Sequence, residues 1–128
     1  MRRQGQVYRL GDLQLRIMRV LWELGEGTVA DVQQRLGGDA LAYTTVATML
    51  RKMEDRGLVG HGEAGRRFMY RPAVSMDEVT RSMAGDLVDR LFGGSLADAV
   101  SHLLDSREIS REELARLERL IRERTKSP

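Results

Sequence analysis

Tyr43-Thr-Thr-Val-Ala-Thr-Met-Leu-Arg-Lys-Met-Glu-Asp-Arg56 is stopped by Gly57 and followed at once by Leu58-Val-Gly-His-Gly-Glu-Ala-Gly-Arg-Arg-Phe-Met-Tyr-Arg71. These two runs decide the fold. At about 100° per residue, Val46, Met49, Leu50 and Met53 gather on one side of a helix. Thr44, Thr48, Arg51 and Asp55 fall in a narrow arc on the other side, with Thr45 and Lys52 flanking it. The second run reads as a short β-hairpin, Leu58 to Arg71, with Gly62-Glu-Ala-Gly-Arg-Arg67 at its tip. Leu58, Val59, Phe68 and Tyr70 are its inward candidates, whereas Arg66, Arg67 and Arg71 point to solvent or to phosphate. A polar-faced helix joined directly to a basic hairpin is the reading head of a winged helix-turn-helix.

That pattern points to duplex DNA. Small hydroxyls near a helix N-terminus let the backbone approach base edges, and the threonine methyls can meet thymine. Arg51 and Lys52 sit deeper and can reach base or backbone. Arginines on a wing contact the sugar-phosphate chain and fix register more than sequence. The competing explanation is a solvated face of a core helix, or a winged helix that meets another protein.

Upstream, Leu13, Ile17, Val20, Leu21 and Leu24 recur at helical spacing, so a first helix is expected from Asp12, as N-cap, to Leu24, with Gly25 as its stop. Trp22, the only tryptophan, is expected to anchor the core. Thr28-Val-Ala-Asp31 is a near capping box that opens a second helix with Val29, Val32 and Leu36 inside and Gly37-Gly38 at its end. Within the hairpin, Gly60-His-Gly-Glu-Ala-Gly65 spells the dinucleotide fingerprint letter for letter. That fingerprint works only between a buried strand and a helix that receives the pyrophosphate. Here a strand follows, so the glycines are assigned to the turn.

From Ser75 the texture is helical only. Ser75 with Glu78 caps a helix over Met76 to Phe92, in which Met76, Val79, Met83, Leu87 and Leu91 repeat at threes and fours. Gly93-Gly94 breaks it. Ser95 caps a helix from Leu96 to about Leu104, carrying Val100 and Leu103, and Ser110 caps a last one striped by Leu114, Leu117 and Ile121. Three such helices bury too little surface to stand alone. A two-fold interface with a second copy would solve that, the alternative being that they fold back on the winged domain of a monomer. The expected contacts are Val79, Met83, Leu87, Leu91, Leu96, Val100, Leu103, Leu114, Leu117 and Ile121.

Charge divides the same way. Residues 1–74 hold 12 Lys/Arg and 8 Asp/Glu, a net +4, and residues 75–128 hold 9 and 11, a net −2. A basic half suits a polyanion and an acidic half suits protein. Among 128 residues there is no cysteine, which removes disulfides, thiol nucleophiles and thiolate metal sites. Only His61 and His102 occur, outside any metal spacing, and the adjacent Ser101 and His102 point apart on a helix. No catalytic constellation, metal or cofactor is expected. No apolar run reaches the roughly 18 residues that a membrane span needs, so a cytoplasmic protein without membrane insertion is expected.

The chain resembles the penicillinase-repressor family, the BlaI/MecI-type regulators and their copper-responsive relatives. The likeness runs from Leu10 to about Arg122. It rests on Leu10-Gly-Asp-Leu13 with Ile17-Met18 and Val20-Leu-Trp22, on Leu41-Ala-Tyr-Thr-Thr-Val46 with Thr48, and on Leu91-Phe-Gly-Gly-Ser95. The resemblance implies a homodimeric repressor that grips a palindromic operator. It also implies DNA contacts at Thr44, Thr45, Ala47 and Thr48, to which Tyr43, Arg51, Lys52, Arg66 and Arg67 are added as candidates. Ala47 stands where some relatives carry a long basic residue. The family's β-lactam-responsive members are released when a membrane sensor-protease causes cleavage at an Asn-Phe bond. That bond corresponds here to His102-Leu103, where the residues differ. The Cys-x-Cys motifs of the copper-responsive branch are missing, which argues against copper as inducer.

The expected organisation is therefore a flexible segment over 1–9, a winged-helix DNA-binding domain over 10–74 and a helical dimerisation domain over 75–128. Control of β-lactam or cell-envelope stress genes is the function that the resemblance suggests.

Overall fold

The computed structural model describes residues 7–37 and 41–125. Its elements follow in the order α1 (Asp12–Leu24), α2 (Val29–Arg35), α3 (Tyr43–Asp55), β1 (Val59–Ala64), β2 (Arg67–Pro72), α4 (Met76–Phe92), α5 (Leu96–Asp105) and α6 (Arg111–Thr125). The chain forms two compact units that divide between Asp86 and Leu87, inside α4. The first unit is a winged helix, as expected. Among the described residues no helix is long and apolar enough to cross a membrane.

The core of the first unit is built from the apolar faces that helical spacing marks. Ile17, Val20 and Leu21 of α1, Val29 and Val32 of α2, and Val46, Leu50 and Met53 of α3 are buried together with Leu58, Val59 and Tyr70. Each such side chain contributes about 1.5–3 kcal/mol on leaving water. The α1 stripe differs in detail: Leu24 is left exposed, whereas Met18 is wholly buried. Trp22 is half-buried against the core, and its indole N–H donates to the Val74 carbonyl at 2.9 Å. The partner is needed because a buried indole N–H without one is costly.

Helix ends follow local chemistry. The N-cap of α1 is Gly11, not Asp12, which becomes the first helical residue. The Gln14 side chain accepts the Gly11 N–H at 3.1 Å, and the Asp12 charge sits favourably in the first turn. At α2 the expected box forms: Thr28 Oγ1 accepts the Asp31 N–H at 3.1 Å, and Asp31 Oδ2 accepts the Thr28 N–H at 2.9 Å. Ser75 and Glu78 make the same reciprocal pair at α4. Ser95 and Ser110 cap α5 and α6 by accepting the Asp98 and Glu113 N–H groups.

The Thr28 backbone N–H, then its hydroxyl, and the nearby Arg67 charge hold the Asp31 carboxyl below its ordinary pKa. A depressed carboxyl stabilises the fold above the ordinary carboxylate range, and the contribution is lost as pH falls through that range toward the folded value. Thr28→Ala should cost about 0.5–2 kcal/mol at neutral pH. Asp31→Asn should flatten the acid limb of a stability–pH curve, which urea titrations between neutral pH and about pH 3 would reveal. An unchanged acid limb would remove Asp31 from the account.

In the wing, β1 and β2 are antiparallel and pair Val59 with Pro72, His61 with Tyr70, and Ala64 with Arg67. The turn is Gly65-Arg66, and Gly65 takes φ +67°, which favours glycine. Gly60 and Gly62 lie within β1 instead, at ordinary φ, so only the last glycine of the fingerprint serves the turn. A second pairing is absent from the sequence pattern: Gly27 and Tyr70 exchange both backbone hydrogen bonds at 2.8 Å, tying the wing to the start of α2.

Tyr8, expected to be flexible, is packed, and Arg9 is held by an exposed ion pair. Tyr8 is buried, its N–H donates to the Ser82 hydroxyl at 2.8 Å, and Arg9 pairs with Asp86 at 3.4 Å. Val7 is exposed, and residues 1–6 of that segment lie outside the described residues, as do residues 38–40 and 126–128.

The second unit is different in kind. Its residues from Leu87 onward contain a single buried side chain, Ala99, among those described. Leu87, Leu91, Leu96, Leu103, Leu114 and Ile121 are exposed, Leu91 by 70% and Leu96 by 67%. Val100 and Leu117 are half-buried.

Candidate nucleic-acid interface

Helix α3 is held by its inner face and presents the rest. Val46, Leu50 and Met53 are fully buried, whereas Thr44, Thr45, Thr48, Arg51 and Lys52 are all exposed. Its start is fixed by Ala42, whose carbonyl accepts from Thr45 and Val46, and by Gln33 of α2, whose side-chain amide donates to the Leu41 carbonyl at 2.8 Å. Arg16 of α1 reaches the Leu36 carbonyl at 3.1 Å at the other end of the same connection. Side-chain hydrogen bonds thus hold the end of α2 and the residue that leads into α3.

Between α3 and the wing lies a cleft of about 630 Å³. From α3 it is lined by Tyr43, Ala47, Arg51 and Glu54, which recur every three or four residues on one flank. From the wing it is lined by His61, Arg66, Arg67, Phe68 and Tyr70. The expected contact residues therefore fall into two groups. Thr44, Thr45, Thr48 and Lys52 face away from the core, and Tyr43, Ala47, Arg51, Arg66 and Arg67 share the cleft. Among the described residues, none of Arg51, Lys52, Arg66 and Arg67 has a carboxylate partner within ion-pair distance, whereas Arg71 pairs with Glu26 at 3.5 Å. Unpaired cations along one concave surface create the positive potential that a polyanion seeks.

Phe68 corrects the expectation of an inward aromatic. It is 49% exposed and stacks on the His61 ring at 4.2 Å. Strand alternation does place it on the same face as Tyr70, but the wing projects beyond the core, so that face meets the cleft. Tyr70, two register pairs nearer the root, is buried. That burial, with the Glu54 charge nearby, raises its phenol pKa above the ordinary value, so it stays neutral.

Of the residues expected at a dimer interface, Val79 is buried in the core of the first unit and Met83 packs against that core. The remaining ones from Leu87 onward belong to the second unit. His102 and Leu103 are exposed within α5, where the His102 ring lies 5.7 Å from that of Phe92. Among the described residues no cluster of His, Asp and Glu could hold a metal ion.

The family model described as penicillinase repressor matches residues 10–123. The penicillinase repressor of Bacillus licheniformis is 24% identical over 119 residues, covering 92% of this chain and 93% of that protein. The transcriptional regulator BlaI of Mycobacterium tuberculosis is 36% identical over 121 residues, covering 86% of each. Among solved structures, the DNA-binding domain of the repressor BlaI superposes with a TM-score of 0.50 at 24% identity, covering 57% of this chain and 90% of that one. A MarR family protein from Bacillus stearothermophilus gives 0.51 at 22% identity, covering 91% and 73%. Both structural likenesses support the winged-helix fold.

Proposed function

The chain belongs to the penicillinase repressor family, and on that premise we propose that it is a homodimeric transcriptional repressor of a palindromic operator. The observation that carries the DNA reading is the cleft. Unpaired arginines on both its walls surround a space that a duplex backbone could enter, and the exposed hydroxyls of Thr44, Thr45 and Thr48 lie on the same helix beside it. In this proposal α3 lies in the major groove, with Thr44, Thr45 and Thr48 at base edges and Lys52 at base or phosphate. The wing arginines hold the adjoining backbone, and two half-sites lie about 34–36 Å apart or a multiple of that. Bound at a promoter, the dimer excludes polymerase.

The dimer rests on the second unit, whose described residues include one buried side chain and so give it no core of its own. Covering the stripes of α4, α5 and α6 with those of a second copy would supply one. Anything that damages these helices weakens two half-site contacts that act as one bivalent event. We place this in the cytoplasm, without enzymatic activity of its own, at genes of β-lactam or cell-envelope stress. Release through a membrane sensor-protease would require attack within α5, near His102 and Leu103.

Selection of bound duplexes from a random pool at near-physiological salt tests the proposal. A palindrome should be enriched. No enrichment from a folded sample would overturn it in favour of a protein-interaction module. With the operator in hand, Thr48→Ala should lose affinity mainly at one base position per half-site, by about 1–3 kcal/mol; equal loss on every sequence would remove Thr48 from base readout. Arg66→Ala with Arg67→Ala should weaken all sequences alike and reduce the slope of log affinity against log salt by about 0.9 for each phosphate no longer neutralised. A salt slope that stays put would take the wing off the backbone.

A further inference from the structure

We propose that His61 is the positioning residue that fixes the distance between the wing and α3, so that both engage one duplex as a rigid unit; this deepens the DNA-binding proposal and rests on it. The wing is secured at its root. Leu58, Val59 and Tyr70 are buried, and Tyr70 is bridged to Gly27. Beyond the His61–Tyr70 pair the support ends: of residues 62–69 none is buried, and Phe68 is half exposed. The arginines that would hold phosphate are at this unsupported end.

One side chain crosses to α3 from the outermost supported pair, His61 with Tyr70. His61 Nδ1 lies 2.8 Å from both carboxylate oxygens of Glu54, in the last turn of α3. A carboxylate only accepts hydrogen bonds, so the bond places the proton on Nδ1. The same imidazole stacks on Phe68 at 4.2 Å with 27° between planes, and lies 5.6 Å from Tyr70. Among the described residues, no other side-chain hydrogen bond links residues 60–69 to α3. His61 therefore ties the wing to the helix, and through its stack on Phe68 the tie reaches two pairs farther toward the tip.

The consequence is preorganisation. With His61 in place, the Arg66 and Arg67 guanidinium groups are carried at a set height above the Tyr43–Arg51 flank, and binding need not order the wing. Without it the two lobes act separately, and ordering the wing opposes binding on every sequence. His61 touches no base in this scheme, and sequence preference stays with α3.

The test compares His61→Ala, His61→Asn, the Arg66→Ala/Arg67→Ala pair and the triple variant against the parent, on the selected operator. Asn is the conservative choice because its side-chain amide places a donor close to where Nδ1 stands. His61→Ala should weaken binding about tenfold, within the range that coupled contacts exchange. It should also flatten the salt slope toward that of the arginine pair without altering base preference. Adding the arginine changes to His61→Ala should cost less than adding them to the parent, and His61→Asn should restore most of the affinity. In the DNA-free protein, amide exchange across residues 62–69 should speed up in His61→Ala while that of α1–α3 stays unchanged.

Independent, additive losses with an unaltered salt slope would overturn the proposal. So would wing amides equally protected with and without the imidazole. If the parent shows no sequence preference, the DNA-binding proposal falls, and amide exchange by itself then decides whether His61 holds the wing.

Discussion

Leu87→Asp should convert the protein to a monomer in light scattering and lower operator affinity by about 10²–10⁴-fold, the range over which linked binding events reinforce each other. The side chain is 47% exposed in the single chain, so the substitution should leave the winged helix folded. Against a second copy the same position would be covered, and a carboxylate there would be desolvated without a partner, which is strongly unfavourable. The two effects separate cleanly. Helix content and melting of the first unit should persist while dimer and high-affinity binding disappear together. A stable dimer of the Leu87→Asp variant would place the interface on other stripes, Leu96–Leu103 or Leu114–Ile121 being the next to test. Val79 would be a poor choice for the same experiment. It is 1% exposed inside the core of the first unit, and its replacement would unfold the domain that reads DNA.

Val79 also shows where the sequence is legible and where it is not. Its spacing within α4 assigns it to the same apolar stripe as Leu87 and Leu91, yet Val79 is buried in the core of the first unit whereas Leu87 and Leu91 are exposed. Spacing along one helix says which residues share a face but not what each part of that face meets. The winged-helix order, the inner faces of α2 and α3, and the Thr28, Ser75, Ser95 and Ser110 caps are readable because each depends on residues within a turn of one another. The misplacements depend on distance. Tyr8 looks like part of a charged tail, and only the Ser82 hydroxyl, 74 residues on, gives it a place in the core. The Gly27–Tyr70 bridge is too short to leave a strand pattern. Strand alternation points Phe68 inward, and the alternation is obeyed; what local pattern does not contain is the length of the wing relative to the core beneath it. In the interface, the polar arc of α3 is recognisable from its threonines. That Tyr43, Ala47 and Arg51 turn toward the wing follows only once the hairpin has a position, and the His61–Glu54 bond follows from the same fact.

Leu50→Ala is the substitution expected to cost most in stability, about 2–5 kcal/mol for a fully buried leucine truncated to alanine. Leu50 has no exposed surface and lies at the centre of the inner face of α3, between Val46 and Met53. A helix of 13 residues has little stability of its own in water, so α3 exists because that face is buried. For a domain of this size each kcal/mol lowers the melting temperature by about 4–8 °C, so a drop of roughly 10 °C or more is expected. Thr48 sits two residues away on the other side, and Thr48→Ala should change stability by no more than about 0.5 kcal/mol. The pair therefore dissociates the two tasks of one helix. Leu50→Ala should melt early yet, well below its transition, keep the base preferences of the parent. Thr48→Ala should melt with the parent and bind with altered preference. Were Leu50→Ala to melt unchanged, α3 would not be seated through this face, and the assignment of its opposite face to DNA would lose its foundation.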